Sequence, residues 1–450
     1  KNKVYSKCLI NGKGEHVDCG AKKIDFNYVK GARTKYNVTY KVTKDVKGVQ
    51  NCTKGGNVIE EDCPKVAKDI RGEDIFDVNG NPIPGGGDSC PGTCEIIGEK
   101  KVLEDGQEVV GKKIDLKFVD KFDDVNFDGK TKFFLDSKLN YTENILKKKS
   151  DKLAINFLSE KGFEENITWS ELYEKVCKFS SYLKKLNLQK GDRVAAYVPN
   201  KIETIICFLA CAKNGIIWSS CSPDFGVQGV VDRFKQIEPK VLITCDYYYY
   251  SGKKINILDK VEEILKQIPS IKKVIAFNYN KKERESLKNF INFEEILNND
   301  LDEVFERFEF NHPLYILFSS GTTGKPKCIT HGSGNVLIEH NKEFMLHCDI
   351  KENEKLFYYT TTGWMMWNWL VGGLATGSSI FLFDGAPVYP KIDVLLEYCQ
   401  NKKINLFGVS AKYIDHLKNE KYNSKNLDLS SIKIIASTGS PLAEDSFKDR

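Results

Sequence analysis

Residues 314–327 are Leu314-Tyr315-Ile316-Leu317-Phe318 and then Ser319-Ser320-Gly321-Thr322-Thr323-Gly324-Lys325-Pro326-Lys327. The first five are apolar or aromatic, which is typical of a buried strand. The next nine combine hydroxyls, glycines and lysines, so backbone N–H groups and hydroxyls can turn toward one point. Such a loop after a strand predicts a polyphosphate site, to which the lysines add positive charge.

The spacing of the glycines distinguishes this loop from a Walker A loop, which has four residues between its glycines and then Lys-Ser or Lys-Thr. Here two residues separate Gly321 from Gly324, and Lys325 precedes a proline. A flexible turn between core elements is the alternative interpretation of a bare Gly-Thr-Thr-Gly. The whole nine-residue string resembles the phosphate-binding signature of the adenylate-forming enzymes, the acyl-CoA synthetase superfamily.

The composition is that of an ordinary globular protein. Of the 450 residues, 41% are hydrophobic and 29% are charged, which allows sizeable cores. The net charge of +5 is small against 67 basic and 62 acidic residues, so nothing favours nucleic acid as a partner. No run approaches the roughly 18 apolar residues of a membrane span. The chain starts at Lys1 and stops at Arg450 within a charged stretch, and we expect both ends to be cut.

The early cysteines predict a separate segment over residues 1–115. Cys8 to Cys19 and Cys52 to Cys63 have the same spacing, which indicates a degenerate repeat. An even number of cysteines in a Gly-rich, core-poor segment suits disulfides in an oxidising, extracellular setting. Zinc is the alternative, although no CxxC pair is present. We expect a β- and loop-rich, disulfide-linked segment that resembles no family we recognise. Its six cysteines are Cys8, Cys19, Cys52, Cys63, Cys90 and Cys94.

The other eight cysteines lie mostly within apolar runs, as buried free thiols of a cytoplasmic protein do. The character of the chain therefore changes, between about Gly111 and Asp128. We take residues 116–132 as a junction and 133–450 as one large domain. The eight are Cys177, Cys207, Cys211, Cys221, Cys245, Cys328, Cys348 and Cys399.

From residue 133 onward, predicted strands alternate with predicted helices. This alternation indicates βαβ units, a largely parallel sheet and an α/β fold. Such sheets bind ligands beyond the carboxyl ends of their strands, where the Ser319 loop lies. The predicted helices are 168–183 (capped by Thr168 or Ser170), 201–213, 230–237 and 253–268. The predicted strands are 193–198, 216–218, 241–245, 273–277, 314–318 and 432–436.

Five longer strings carry the resemblance further: 134–144, 218–227, 232–240, 360–369 and 437–442. Together they are similar to the acetoacetyl-CoA synthetases, relatives of acetyl-CoA synthetase, over about residues 128–450. The resemblance implies the large N-terminal domain of the adenylate-forming fold, incomplete at its C-terminus. The family's mobile C-terminal domain and its catalytic lysine would lie beyond Arg450. We therefore expect this chain to bind nucleotide weakly and to form little thioester.

The chemistry that the resemblance implies is that of an acid–thiol ligase. A carboxylate attacks ATP, pyrophosphate leaves, and the acyl-adenylate then acylates coenzyme A, with Mg²⁺ carried largely by the phosphates. Acetoacetate is the implied acid. Another short-chain acid, or an inert ligase fragment joined to a secreted Cys-rich protein, remain the alternatives. No Ser-His-Asp or Cys-His pairing stands out, no metal ligands are assigned, and His331 and His340 are expected to be structural.

The resemblance also implies the role of each motif. The phosphate loop would use Ser319, Ser320, Gly321, Thr322, Thr323, Gly324 and Lys327. Valine at Gly321 or Gly324 is expected to abolish ATP binding, because a β-branched side chain disfavours positive φ and blocks close approach of the backbone. The acyl pocket would be lined by Trp364, Met365 and Met366, with Trp367 and Trp369 behind, although such a stripe is usually core packing. Adenine would pack on Gly439, Ser440 and Pro441, which could also be a plain turn. Lys253 would reach the coenzyme A phosphate, unless it is simply a surface lysine.

Overall fold

The structure is a computed structural model of the chain. It describes residues 134–283, 287, 289–319, 324–443 and 446, together with the backbone of short strands before residue 110. The chain divides into two compact units, Lys1–Thr131 and Lys132–Arg450.

The described backbone of the first unit is made of antiparallel strands. One sheet has the order β1-β2-β3, a second has the order β5-β4-β6, and β7 pairs with β8. The side chains of the six early cysteines lie outside the described residues, so their disulfides stay a prediction. The strands are β1 (Asn2–Tyr5), β2 (Lys23–Tyr28), β3 (Tyr36–Lys41), β4 (Gly48–Lys54), β5 (Asn57–Val58), β6 (Thr93–Gly98), β7 (Lys101–Val102) and β8 (Glu108–Val109).

The second unit alternates strands with helices, as predicted. Its described strands are β9 (Lys138–Leu139), β10 (Leu153–Ser159), β11 (Glu164–Thr168), β12 (Arg193–Tyr197), β13 (Ile217–Cys221), β14 (Val241–Cys245), β15 (Tyr247–Tyr250), β16 (Lys253–Asn256), β17 (Lys273–Phe277), β18 (Ile291–Asn292), β19 (Phe308–Glu309), β20 (Pro313–Ser319), β21 (Lys327–Gly332), β22 (Lys355–Tyr358), β23 (Ser379–Asp384), β24 (Leu406–Ser410) and β25 (Ile434–Thr438).

Its described helices are α1 (Tyr141–Ile145), α2 (Trp169–Lys185), α3 (Ile202–Lys213), α4 (Val227–Ile237), α5 (Leu258–Gln267), α6 (Phe293–Ile296), α7 (Ser333–Lys342), α8 (Met365–Gly372), α9 (Val394–Lys402) and α10 (Ala411–Asn419). A π-helical turn, Glu343–His347, continues α7. Two 3₁₀ turns cover Gly373–Thr376 and Ser424–Asn426.

Two mixed sheets organise the second unit. The first has the order β18-β17-β14-β12-β13-β20-β21 in the described part of the chain, and only β21 runs antiparallel to its neighbour. The second has the order β11-β10-β23-β22-β24-β25, with β11 as its antiparallel edge. This arrangement confirms the predicted α/β fold with parallel βαβ sheets.

Local sequence explains how these elements begin and where they pack. Thr168 caps α2 in a capping box with Glu171, which settles the choice between Thr168 and Ser170. Every residue of α3 is buried, and its sequence is accordingly mostly apolar, with Glu203 and Lys213 as its charged residues. Strands β13 and β14 are also buried along their whole length, as expected of central parallel strands.

The helix predicted over residues 253–268 is wrong in its first part. Strands β15 and β16 form a hairpin there, and α5 starts only at Leu258. Ser251 and Gly252 have φ values of 48° and 81°, and positive φ at both central residues is characteristic of the tightest hairpin turns. The turn is fixed by Glu160, whose carboxylate accepts the N–H groups of Ser251 and Gly252 at 3.0 and 2.8 Å. That long-range contact is invisible in the local sequence.

The described part of the second unit contains one large core around α3 and a smaller one around α9. In the described part of the chain, no helix combines the length and apolar character needed to cross a membrane.

Candidate active site

The hairpin β20–β21 carries the predicted phosphate loop. Ser319 and Lys327 face each other as its last register pair, and Ser320, Gly321, Thr322 and Thr323 lie outside the described residues. Gln236 of α4 donates from Nε2 to the Pro326 carbonyl at 2.8 Å, which fixes the returning strand. The loop therefore begins at the carboxyl end of β20, where a parallel sheet places its ligands.

The conformational argument for Gly324 is wrong. Its φ is not positive, and a Cβ added there would have no atom within 4 Å. Gly324, Lys325 and Lys327 are all exposed. The positive-φ requirement therefore does not apply at Gly324, whereas the need for close approach of its backbone to a phosphate stays a prediction.

A cavity of about 710 Å³ lies beside this hairpin. It is bounded by β20 and β21, by α7, by the start of α8 and by the end of β25. The wall from α8 is mainly apolar, whereas the wall from α7 is mainly polar. The lining residues are Tyr315, His331, Gly332, Asn335, Val336, Glu339, His340, Glu343, Cys348, Met365, Met366, Trp369, Ala436, Ser437 and Thr438.

The start of α8 brings part of the predicted acyl pocket to this cavity. Met365 and Met366 line it, whereas Trp364 is 61% exposed and is not among the lining residues. Trp367 is fully buried behind the wall, as predicted. Trp369 lines the cavity as well and packs on Phe344 with ring centroids 4.1 Å apart.

The end of β25 carries the motif predicted to hold adenine. Thr438 lines the cavity, and its Oγ1 lies 2.8 Å from the Tyr358 hydroxyl. Gly439 follows with a φ of 92°, a value that favours glycine. Ser440 and Pro441 are exposed beside it. The turn therefore leaves the sheet at the rim of the cavity.

Two histidines that the sequence suggested to be structural lie on the cavity wall. Burial lowers the pKa of His331, and it lowers the pKa of His340 to about 4. Both rings are therefore neutral at pH 7. A signal was present in the sequence, because Val336, His340 and Glu343 follow one another at helical spacing. The spacing could not show that this stripe faces a cavity rather than a core.

Comparison with known proteins identifies the family. The model of the AMP-binding enzyme family matches residues 142–449. The chain belongs to the AMP-binding enzymes. An acetoacetyl-coenzyme A synthetase of Rhizobium meliloti is 40% identical over 360 residues, which are 79% of this chain and 52% of that relative. An acetoacetyl-CoA synthetase of Gallus gallus is 41% identical over 330 residues, 70% of this chain and 49% of the relative.

A solved structure and a further curated relative are also similar to this chain. The solved structure of acetoacetyl-CoA synthetase from Streptomyces lividans matches with a TM-score of 0.66 and 39% identity, over 69% of this chain and 48% of that one. A malonamoyl-CoA synthetase of Penicillium aethiopicum is 36% identical over 70% of this chain and 48% of its own length. The chain thus spans about half the length of the curated relatives it matches.

The lysine predicted to contact coenzyme A lies away from this cavity in the AMP-binding enzyme. Lys253 is exposed in β16 opposite Tyr250 and does not line the cavity. Within the described ranges, no group of three His, Cys, Asp or Glu side chains is arranged to hold a metal ion.

A smaller cavity of about 110 Å³ lies where strands of both sheets end. Asp384 reaches it from the end of β23 and is half-buried. Its carboxylate accepts hydrogen bonds from the Tyr279 hydroxyl at 2.9 Å and from the Asn200 N–H at 3.1 Å. Burial raises the pKa of Asp384 to about 7, because these two hydrogen bonds only partly offset it and Asp224 adds repulsion.

This raised pKa predicts a pH-dependent stability. The folded state keeps a proton on Asp384 that the unfolded chain releases above about pH 4, so stability falls as pH rises toward about 7. A shift of one pKa unit corresponds to about 1.4 kcal/mol. Asp384→Asn should stabilise the protein at pH 8 by roughly 2 kcal/mol. This gain is smaller than the whole pKa shift implies, because the new amide nitrogen will face a hydrogen-bond donor. At pH 4 the gain in stability should vanish.

Urea unfolding at both pH values measures this gain. Asp300→Asn is the control, because Asp300 is exposed. Equal gains at pH 4 and pH 8 would contradict the prediction.

Proposed function

We propose that this chain carries the nucleotide- and acid-binding part of an ATP-dependent acid–thiol ligase that converts acetoacetate to acetoacetyl-CoA through an acyl-adenylate. The observation that carries the proposal is the cavity between the phosphate-loop hairpin, Met365–Met366 and Thr438. A phosphate cradle, an acid pocket and an adenine platform must adjoin one another for a carboxylate to attack the α-phosphorus. The resemblance to acetoacetyl-CoA synthetases supports the choice of acid.

The role of each group follows from its chemistry. Ser319, Ser320, Thr322, Thr323 and the backbone at Gly321 and Gly324 bind the β- and γ-phosphates, and Lys327 braces the loop. Hydroxyls and N–H groups directed at phosphate oxygens stabilise the charge that develops as pyrophosphate leaves. Mg²⁺ would supply further neutralisation through the phosphates themselves, since the described residues offer it no carboxylate cluster.

The acid and the adenine occupy opposite walls in this proposal. Met365 and Met366 contact the acyl group, and their flexible thioethers suit a small, shaped pocket. Gly439, Ser440 and Pro441 pack against adenine at the rim. Trp364, exposed and off the cavity wall, would contribute only at its entrance.

The remaining assignments complete the proposal. Residues 133–450 form the AMP-binding domain, 1–115 a separate segment and 116–132 their junction. Coenzyme A is the second substrate, and Lys253 contacts its phosphate. The cytoplasm is the proposed compartment, supported by the eight free cysteines of the described part, most of them buried.

A second candidate is a ligase for a related short acid. The similarity to a malonamoyl-CoA synthetase favours it. Malonamate differs from acetoacetate in carrying an amide where acetoacetate carries a methyl ketone. The polar wall of α7 is compatible with either group.

The nucleotide part of the proposal can be tested by calorimetric titration of ATP. Gly321→Val should weaken binding by about 10- to 100-fold, because each lost hydrogen bond to a charged phosphate is worth about 1.5–3 kcal/mol. Gly226→Val is the matched control, since Gly226 has an extended backbone at the start of α4 and open space around an added Cβ. Equal ATP affinity of the wild type and Gly321→Val would contradict the proposal.

A further inference from the structure

The polar wall of the 710 Å³ cavity comes from one side of α7 and has no role in the chemistry above. Asn335, Glu339 and Glu343 follow one another there at one-turn spacing, with His340 next to Glu339, and Met365 of α8 lines the same cavity. A short acid with only a carboxylate and a hydrocarbon tail would need no such wall. These side chains therefore indicate that the acid carries a polar group at the end away from its carboxylate.

His340 is the most constrained of these groups. Its side chain is almost completely buried, with 4% of the residue exposed. Its Nδ1 lies against Gly372, where a Cβ would collide with it, and has no hydrogen-bond partner in the part of the chain that is described. Its Nε2 lies 3.7 Å from Glu339 Oε2, too long for a hydrogen bond. The ring thus reaches the cavity with its hydrogen-bonding capacity unused.

The protonation of the ring follows from its surroundings. Burial, followed by the charge of His331, lowers the pKa to about 4, and Glu343 opposes this only weakly. The neutral ring has a single N–H. A buried N–H without a partner is rarer in proteins than a buried acceptor without one. The proton is therefore assigned to Nε2, on the side of Glu339, and Nδ1 is the unpaired acceptor.

The two glutamates give the wall a negative charge. Lys342 donates to Glu343 at 2.7 Å and lowers its pKa. Burial and the neighbouring Glu343 raise the pKa of Glu339. Lys342 also lies 3.8 Å from Glu339. Two carboxylates thus share one ammonium, which leaves an excess of negative charge beside His340.

We propose that His340 is a specificity-determining residue that donates a hydrogen bond to a neutral carbonyl oxygen at the far end of a short acid, while Glu339 and Glu343 exclude acids with a second carboxylate there. This inference rests on the proposed function, because it requires the cavity to hold the acid. The substrate class is that of short acids with an uncharged carbonyl group near the other end. Selection operates through one attractive group and two repulsive ones.

Ligand-observed saturation-transfer NMR on the whole chain tests this with three probes: 3-oxobutyrate, butyrate and malonate. The wild type should bind 3-oxobutyrate about 3- to 10-fold more tightly than butyrate, which corresponds to one hydrogen bond, and malonate least. His340→Phe should reduce the first ratio to about one. His340→Gln, which keeps an N–H donor, should retain part of it. Glu339→Gln should improve malonate binding about tenfold by removing a like charge.

His416→Phe is the matched control, since His416 is exposed on α10 and does not line the cavity. It should leave all three affinities unchanged. Equal binding of 3-oxobutyrate and butyrate by the wild type, or an unchanged ratio in His340→Phe, would overturn the inference while ATP binding through the loop stands. Failure of all three acids to bind would remove the acid-binding role of the cavity and this inference with it.

Discussion

Trp367→Ala is expected to lower the free energy of unfolding by about 3–5 kcal/mol, the usual range for truncating a buried aromatic side chain. Trp367 is fully buried and stacks on Trp218, with ring centroids 6.5 Å apart. Phe208 packs against both tryptophans, edge-on to Trp367, with ring centroids 5.7 Å from Trp367 and 5.9 Å from Trp218. The Trp367 Nε1 donates to Asn200 Oδ1 at 2.9 Å, so the substitution also removes the donor to a buried amide oxygen.

The measurement is urea unfolding of the whole chain followed by far-ultraviolet circular dichroism, a signal that does not depend on the tryptophan removed. Trp364→Ala is the matched control, because Trp364 lies three residues earlier and is largely exposed. It should change stability by less than about 0.5 kcal/mol. Equal stabilities of the two variants would show that the stack does not hold α8.

Trp367→Ala should also affect the apolar wall of the cavity. Trp367 packs the first turn of α8 against β13 through its contact with Trp218, and Met365 and Met366 lie at the start of the same helix. When this contact is removed, the apolar wall of the cavity should become mobile. Trp367→Ala is therefore also expected to bind butyrate more weakly than the wild type, whereas Trp364→Ala is not.

Lys201→Met is expected to destabilise the second unit by about 3–5 kcal/mol, toward the lower end, because it breaks a buried ion pair by removing one partner. Lys201 is fully buried at the start of α3. Its Nζ donates to the Tyr279 carbonyl at 2.6 Å and lies 3.2 Å from Glu165 and 3.6 Å from Glu203. Burial opposes ionisation of Glu203, and Lys201 together with Lys281 lowers its pKa.

Methionine keeps the length of the side chain but not its charge, so the loss measures electrostatics rather than packing. Lys281 still faces Glu203 at 3.4 Å, which is why the lower end is expected. Adding Glu203→Gln should restore part of the loss. Lys178→Met, which removes an i,i+4 surface pair with Glu174, is the control and should have little effect. Urea midpoints compare the three variants with the wild type, and no difference between Lys201→Met and the control would refute the prediction.

Much of the second unit was predictable because its signals are local. The capping box of Thr168 and Glu171 fixes the start of α2, and the alternation of apolar runs with helical spacing indicates parallel βαβ units. The loop after β20 was predictable for the same reason, since its glycines, hydroxyls and lysines are consecutive. The hairpin β15–β16 was not, because the carboxylate that fixes its turn belongs to Glu160, about ninety residues earlier.

The sequence by itself determined the fold class, the position of the predicted phosphate loop after β20 and the family that the chain resembles, since each depends on neighbouring residues or on their spacing. Only the tertiary structure decided that His340 and Glu339 share a cavity with Met366 and Thr438. The physical reason is that α7, α8 and β25 belong to separate parts of the chain, and packing of the two sheets brings them together. Helical spacing shows which residues share a side of α7, whereas whether that side meets a core or a cavity depends on the elements packed against it.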